Sequence, residues 1–134
     1  MMIQPLQFDL EKIKEIYASC GWNSYLQDDN KLQRAFENSL DVLGFYINNN
    51  LIGFIRLLGD GEHMVLIQDL IIHPKYQHQG YGSKLLQYAL EKYKHVRMIC
   101  LFTDAYDKID NAFYQKHNFE LIIHKDMVAY TKKK

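Results

Sequence analysis

Apolar residues recur every three or four positions between residues 9 and 20. Leu10, Ile13, Ile16, Tyr17 and Cys20 fall near one face, Asp9 can cap the first turn and Gly21 stops the run. That spacing predicts a helix. A second helix is expected after the Asp28-Asp29-Asn30 cluster, with Leu32, Ala35, Phe36, Ser39 and Leu40 inward and an end near Asp41. The pattern then changes. Val42 to Ile47 and Leu51 to Leu58 are rich in β-branched and aromatic residues, and the Asn48-Asn49-Asn50 tract between them tolerates positive φ, so the pair predicts an antiparallel hairpin. Asp60-Gly61 marks another turn before the stretch from Met64 to Ile72, whose only strongly polar members are Gln68 and Asp69. This third strand is expected at the centre of a sheet.

Leu85, Leu86, Ala89, Leu90 and Tyr93 mark the inner face of a helix from about Gly82 to Lys94, and Val96 to Thr103 reads as the next strand. Strand, helix and strand in succession make a βαβ unit with parallel strands. Asp107 to His117 predicts a short helix, Asn118 a left-handed cap, and Phe119 to Ile123 with Met127 to Tyr130 the last strands. The order, two helices and two strands followed by β-α-β-α-β, belongs to the α/β class with a mixed sheet. With 134 residues, 48% of them apolar, the chain is expected to form one domain over residues 1 to 134.

The segment Ile71-Ile72-His73-Pro74-Lys75-Tyr76-Gln77-His78-Gln79-Gly80-Tyr81-Gly82-Ser83-Lys84 carries the strongest chemical signal. An apolar strand ends at a proline, and Gln77-x-x-Gly80-x-Gly82 leads straight into a helix. Such glycines let the backbone turn tightly and bring free amides near a ligand, while the helix aims its positive end at the same spot. The amides from His78 to Ser83 are therefore a candidate phosphate cradle, with Lys75, His78 and Lys84 adding local charge. A P-loop is excluded, because Gly82-Ser83-Lys84 has the wrong order and spacing.

Sixteen basic and sixteen acidic residues leave no net charge, so nothing overall draws the chain to nucleic acid or to an anionic membrane. No apolar run approaches the roughly 20 residues of a membrane span. The first residues lack the basic start and apolar stretch of a signal peptide, and a cytoplasmic setting is expected. Cys20 and Cys100 are too few and too far apart for a disulfide framework or a CxxC site, and His73 and His78 lack a third ligand at supportive spacing, so no metal is expected.

In its order of elements and in Gln77-x-x-Gly80-x-Gly82 after Ile72-His73-Pro74, the chain resembles the GCN5-related N-acetyltransferases, the GNAT superfamily. Phe113-Tyr114-Gln115-Lys116-His117-Asn118-Phe119 is similar to that family's Tyr-x-x-x-Gly-Phe element. The resemblance covers the whole chain. It departs at Asp107 and Asp110, where the family often has Asn and Ala, and at Asn118, where it has Gly. It implies the GNAT fold, with two parallel strands splayed apart so that the pantetheine of acetyl-CoA lies between them. Backbone groups of Leu70, Ile71 and Ile72 would bond its amides, and Gln77, His78, Gln79, Gly80, Tyr81, Gly82, Ser83 and Lys84 would hold its phosphates. A homodimer is also common in this family.

Acetyl transfer to an amine needs a neutral amine, a polarised carbonyl and a proton for the leaving thiolate. The resemblance makes Tyr114 the candidate acid; the rival reading is a core aromatic beside Phe113. For the base, Asp69, Glu62, His63 and a water chain all stay open, and Asp69 can equally be retained by structural hydrogen bonds. The acceptor pocket is expected around Trp22, Tyr25, Phe54 and Arg56. Arg56 either reaches a sheet edge or meets a carboxylate, from the acceptor, Asp69 or Glu62. The expected function is acetylation of a primary amine of a small molecule, amino acid or peptide, with acetylation of a protein lysine or N-terminus, or a non-catalytic coenzyme A-binding module, as alternatives.

Overall fold

The computed structural model describes all 134 residues, which divide into two compact units, Met1–Leu101 and Phe102–Lys134. In the first unit the helices start where carboxylates can cap them. Asp9 accepts from the Lys12 amide ahead of α1 (Leu10–Ser19), and Asp28 accepts from the Lys31 amide ahead of α2 (Asp29–Glu37). Trp22 and Tyr25 lie between them, Tyr25 within a short 3-10 turn, Asn23–Leu26. No helix is long and apolar enough to cross a membrane.

Five strands form one sheet in sequence order: β1 (Met2–Pro5), β2 (Asp41–Ile47), β3 (Asn50–Gly59), β4 (Met64–Ile72) and β5 (Met98–Leu101). The first four are antiparallel, and β5 runs parallel to β4. Asn48 and Asn49 turn the β2-β3 hairpin at φ 51° and 62°, the doubly left-handed conformation that matches strand twist. In the next turn a single Asp60 oxygen accepts from the amides of Glu62, His63 and Met64. β1 escapes the sequence pattern because four residues ending in a proline carry too short an alternation to read.

Both faces of the sheet are covered. On one, Ile13, Ile16 and Tyr17 of α1 and Leu32 and Phe36 of α2 pack with Leu51, Phe54 and Ile71. On the other lies α3 (Tyr81–Lys92), which buries Leu85, Leu86 and Ala89 against β2, β3 and β4. Its end is fixed by Asp41, which accepts from the Lys92 ammonium at 2.6 Å and the Tyr93 hydroxyl at 2.7 Å.

One irregularity shapes β4. Arg56 pairs with Asp69 but Leu57 pairs with Ile67, so Gln68 is an extra residue and the strand is bulged there. Beside the bulge lies a buried ion pair, Arg56 Nε to Asp69 Oδ2 at 2.7 Å, with the two residues 4% and 2% exposed. Tyr17 donates to the same oxygen at 2.7 Å, and Tyr25 to the other at 2.8 Å. Arg56 also reaches Ser39 Oγ at 3.3 Å and lies over the Phe36 ring.

The second unit contains α4 (Lys108–Lys116), capped by Asp107 through the Asp110 amide at 2.9 Å. Asn118 takes the left-handed conformation at φ 68°. The two expected C-terminal strands do not form. Ile122–Lys125 is a 3-10 turn closed by Asp126 at φ 59°, and the segment from Met127 onward is irregular, with Leu121, Ile123, Val128 and Tyr130 exposed. Their β-branched and aromatic composition is real, but a strand needs a partner to satisfy its backbone, and none pairs with them.

Replacing Asp69 with Ala should cost about 3–5 kcal/mol, because Arg56 is then buried without a counter-charge. Replacing both residues with apolar side chains of similar volume should recover most of that loss. Urea denaturation of the three proteins measures it.

Candidate active site

The end of β4 builds the site. Antiparallel pairing makes residues alternate between those bonded to the neighbouring strand and those turned away from it. The His73 amide donates to Ile52 O at 2.8 Å, which fixes the phase: Ile71 and Asp69 exchange backbone bonds with β3, while Leu70 and Ile72 turn theirs outward. On that outward side β5 pairs only with Met64 to Ile67, so pairing stops one residue before the bulge. From Gln68 to Ile72 no strand pairs with that edge. The N–H and C=O of Leu70 and the N–H of Ile72 can therefore bond an extended ligand, the Ile72 carbonyl being held by the Gln77 side chain; Ile71, expected beside them, turns its backbone to Phe54 and its side chain into the core.

Beyond this edge the chain makes a short 3-10 turn, Pro74–Tyr76, with the His73 ring accepting from the Lys75 amide at 3.1 Å. Gln77 does not reach outward. Its amide donates to Ile72 O at 2.8 Å and lies 3.8 Å from Cys20 Sγ, which ties the turn to the end of β4 and to the C-terminus of α1. His78 and Gly80 are both left-handed, at φ 64° and 84°. Left-handed residues in a turn can aim successive amides into an anion-binding concavity, and two stand here two positions apart.

α3 starts at Gly80 with no side-chain cap, and a side chain built on Gly80 would meet nothing within 4 Å. The space before the helix is open. Tyr81 packs its ring on Phe45 and carries Lys84 Nζ 5.8 Å above it, while His78 and Gln79 are exposed. A helix start with no side chain on its cap residue, an open glycine and a strand edge with no strand beside it fit a long ligand with an anionic end, and so fit coenzyme A.

On the α1/α2 face lies the expected acceptor region. Of the carboxylates open to Arg56, it meets Asp69, deep in the core, and it cannot also hold an acceptor's carboxylate. Phe54 is 0% exposed and packs edge-on against Tyr17 and Phe36, so it is core and not pocket wall. Trp22 and Tyr25 are half-buried and both stack on Tyr17. Asp69, with three donors and almost no exposure, can reach a substrate only through a neighbour. That neighbour is Tyr25, whose oxygen also accepts from Gln68 Nε2 at 3.1 Å. Burial pushes the Tyr25 hydroxyl above its ordinary value, with the Gln68 amide opposing it. Gln68 was visible in the sequence as a polar interruption of an apolar strand; nothing there disclosed the bulge that turns it toward Tyr25.

In the second unit Tyr114 is half-buried and packs edge-on against Phe113 and Phe119. Burial, and then the nearby Asp110 carboxylate, push its hydroxyl up to about 12. Asp107 keeps its side chain for the α4 cap, where it accepts from the Asp110 amide at 2.9 Å.

Residues 9–119 match the Acetyltransferase (GNAT) family. The chain belongs to that family. It is 28% identical over 108 residues to streptothricin acetyltransferase A of Bacillus subtilis (strain 168), a match covering 79% of this chain and 62% of that protein. The chain spans less than two thirds of the length of the curated relatives it matches. Among solved structures, a GNAT-family acetyltransferase from Streptococcus pneumoniae TIGR4 superposes with TM-score 0.85 at 30% identity, over 99% of this chain and 97% of that one. The PaiA N-acetyltransferase of Thermoplasma acidophilum, solved in complex with coenzyme A, shares the fold with TM-score 0.63 at 23% identity, covering 87% of this chain and 89% of that one.

The GNAT turn depends on a left-handed histidine, a conformation costing about 1–2 kcal/mol for a residue with a Cβ and more for a β-branched one. His78→Gly should therefore be at least as stable as the parent against urea, and His78→Val about 1–2 kcal/mol less stable. Equal stability of the two variants would show that the turn relaxes.

Proposed function

We propose that the chain transfers the acetyl group of acetyl-CoA to a primary amine by direct attack within a ternary complex. The observation that carries this reading is the continuous path from the outward backbone of Leu70 and Ile72 to the His78-Gly80 turn at the start of α3. Leu70 and Ile72 would hold the pantetheine amides, and the amides around Gly80, Tyr81 and Gly82 the phosphates. Lys84 adds a positive charge beside them. When bound, acetyl-CoA supplies an acyl group activated as a thioester. Tyr114, the tyrosine of the element that resembles the family's Tyr-x-x-x-Gly-Phe, keeps its proton well above neutral pH and would donate it to the departing sulfur. The acceptor is a small-molecule amine or a peptide. Homology to a protein named for streptothricin supports the first, and the half-buried Trp22 would contact it. The two cysteines are free, which suits a reducing, cytoplasmic setting.

Gly82→Glu should weaken acetyl-CoA binding at least about tenfold in calorimetry, because a carboxylate in the first turn of α3 repels the phosphates and blocks backbone approach. Unchanged affinity would move the cradle elsewhere.

Tyr114→Phe keeps the ring and removes the acid. A positioned acid is typically worth about 10²- to 10⁴-fold, so kcat should fall at least about tenfold while acetyl-CoA affinity holds. Because the hydroxyl stays protonated up to about 12, the parent's kcat should show no alkaline fall below about pH 10. Steady-state rates of thiol release at saturating acetyl-CoA give both results.

A further inference from the structure

Hydrogen-bond polarity runs in one direction through the cluster beside the β4 bulge. Asp69, as a carboxylate paired with Arg56, can only accept. Tyr25 must therefore give it its single proton, over 2.8 Å, and can serve Gln68 only as an acceptor. Gln68 must in turn present its N–H group to Tyr25, which fixes the amide's orientation and leaves its carbonyl Oε1 pointing away. Gln68 is exposed, and no group of the protein takes that oxygen. It stands at the first residue beyond the last β4-β5 pair, Ile67 with Leu101. The sheet thus holds an acceptor-only oxygen, locked by a buried charge pair, at the point where β4-β5 pairing ends.

We propose that Gln68 Oε1 orients the acceptor amine. An amine donates an N–H to it, and its lone pair is then turned toward the acyl carbon. A hydroxyl can make the same bond but has a single proton for it, whereas a primary amine keeps a second. Tyr25 is a positioning residue, since it acts by holding the Gln68 amide. This assignment rests on the acetyl-transfer reading above and adds the group that meets the nucleophile.

The test compares Gln68→Leu, Gln68→Glu and Tyr25→Phe with the parent, using acetyl-CoA and three primary amines: spermidine, kanamycin and an alanyl peptide. Kinetics are run with the amine that the parent turns over fastest. Gln68→Leu should raise that amine's KM at least about tenfold and leave the KM for acetyl-CoA within about twofold. Gln68→Glu keeps an acceptor oxygen and should lie between the two. Tyr25→Phe frees the amide to flip and should shift the amine KM in the same direction as Gln68→Leu. Calorimetry of the amine against the protein saturated with coenzyme A should show the same order without any turnover, and melting temperatures confirm folding.

An amine KM and affinity unchanged in folded Gln68→Leu overturn this assignment while leaving acetyl transfer standing. Equal losses for amine and acetyl-CoA overturn it as well, since they mean that the bulge itself has collapsed. A parent that binds acetyl-CoA and acetylates none of the three amines counts against the transfer reading and this assignment together.

Discussion

Asp69 places a carboxylate inside a strand that is otherwise apolar, and the first unit is arranged around satisfying it. Its donors come from far apart in the chain: Tyr17 from α1, Tyr25 from the turn that follows, and Arg56 from the neighbouring strand. A displacement of any one leaves a desolvated charge short of partners, which is far more costly than a lost surface contact. The pair is thus a registration device as much as a source of stability. It fixes how α1, the turn after it and β3 lie against β4.

The bulge at Gln68 serves both sides of the sheet. A regular ladder through this point would shift every later residue of β4 to the opposite face, moving Asp69 away from Arg56 and Tyr17. The extra residue brings Asp69 and Ile71 onto the face covered by α1. It also marks where β4 leaves β5, so one irregularity separates a conventional sheet from an open strand edge. An open edge is ordinarily a liability for aggregation. Here it is short, and it leads directly to a turn that can hold anions.

Most of the elements were legible in the sequence because they are locally specified. Asp9, Asp28 and Asp107 announce helix starts, Asn48-Asn49 a hairpin, and Gly80 the entry to α3. What was not legible is non-local. The alternation of apolar residues could not show that β4 gains a residue at Gln68, because the bulge exists only relative to β3. For the same reason Phe54 and Arg56 read as pocket residues, although Phe54 lies within an aromatic cluster and Arg56 against Asp69. The C-terminal segments erred in the opposite direction: Phe119 to Ile123 and Met127 to Tyr130 have the composition of strands, and composition cannot supply a partner.

The two halves of the candidate site use different chemistry, and on the proposed reading this separates what is general from what is specific. Recognition of coenzyme A falls to backbone groups of Leu70, Ile72 and the turn around Gly80, which many sequences could supply and which needs no net charge, in keeping with a chain whose charges balance. The amine side instead depends on side chains, whose donors and acceptors are ordered by Asp69. A backbone edge tolerates change at each position so long as the strand persists. A polarity chain does not, because reversing one member reverses every group beyond it. Specificity for the acceptor should therefore reside in the few residues between Asp69 and solvent, while the fold and the phosphate turn stay the same as they change.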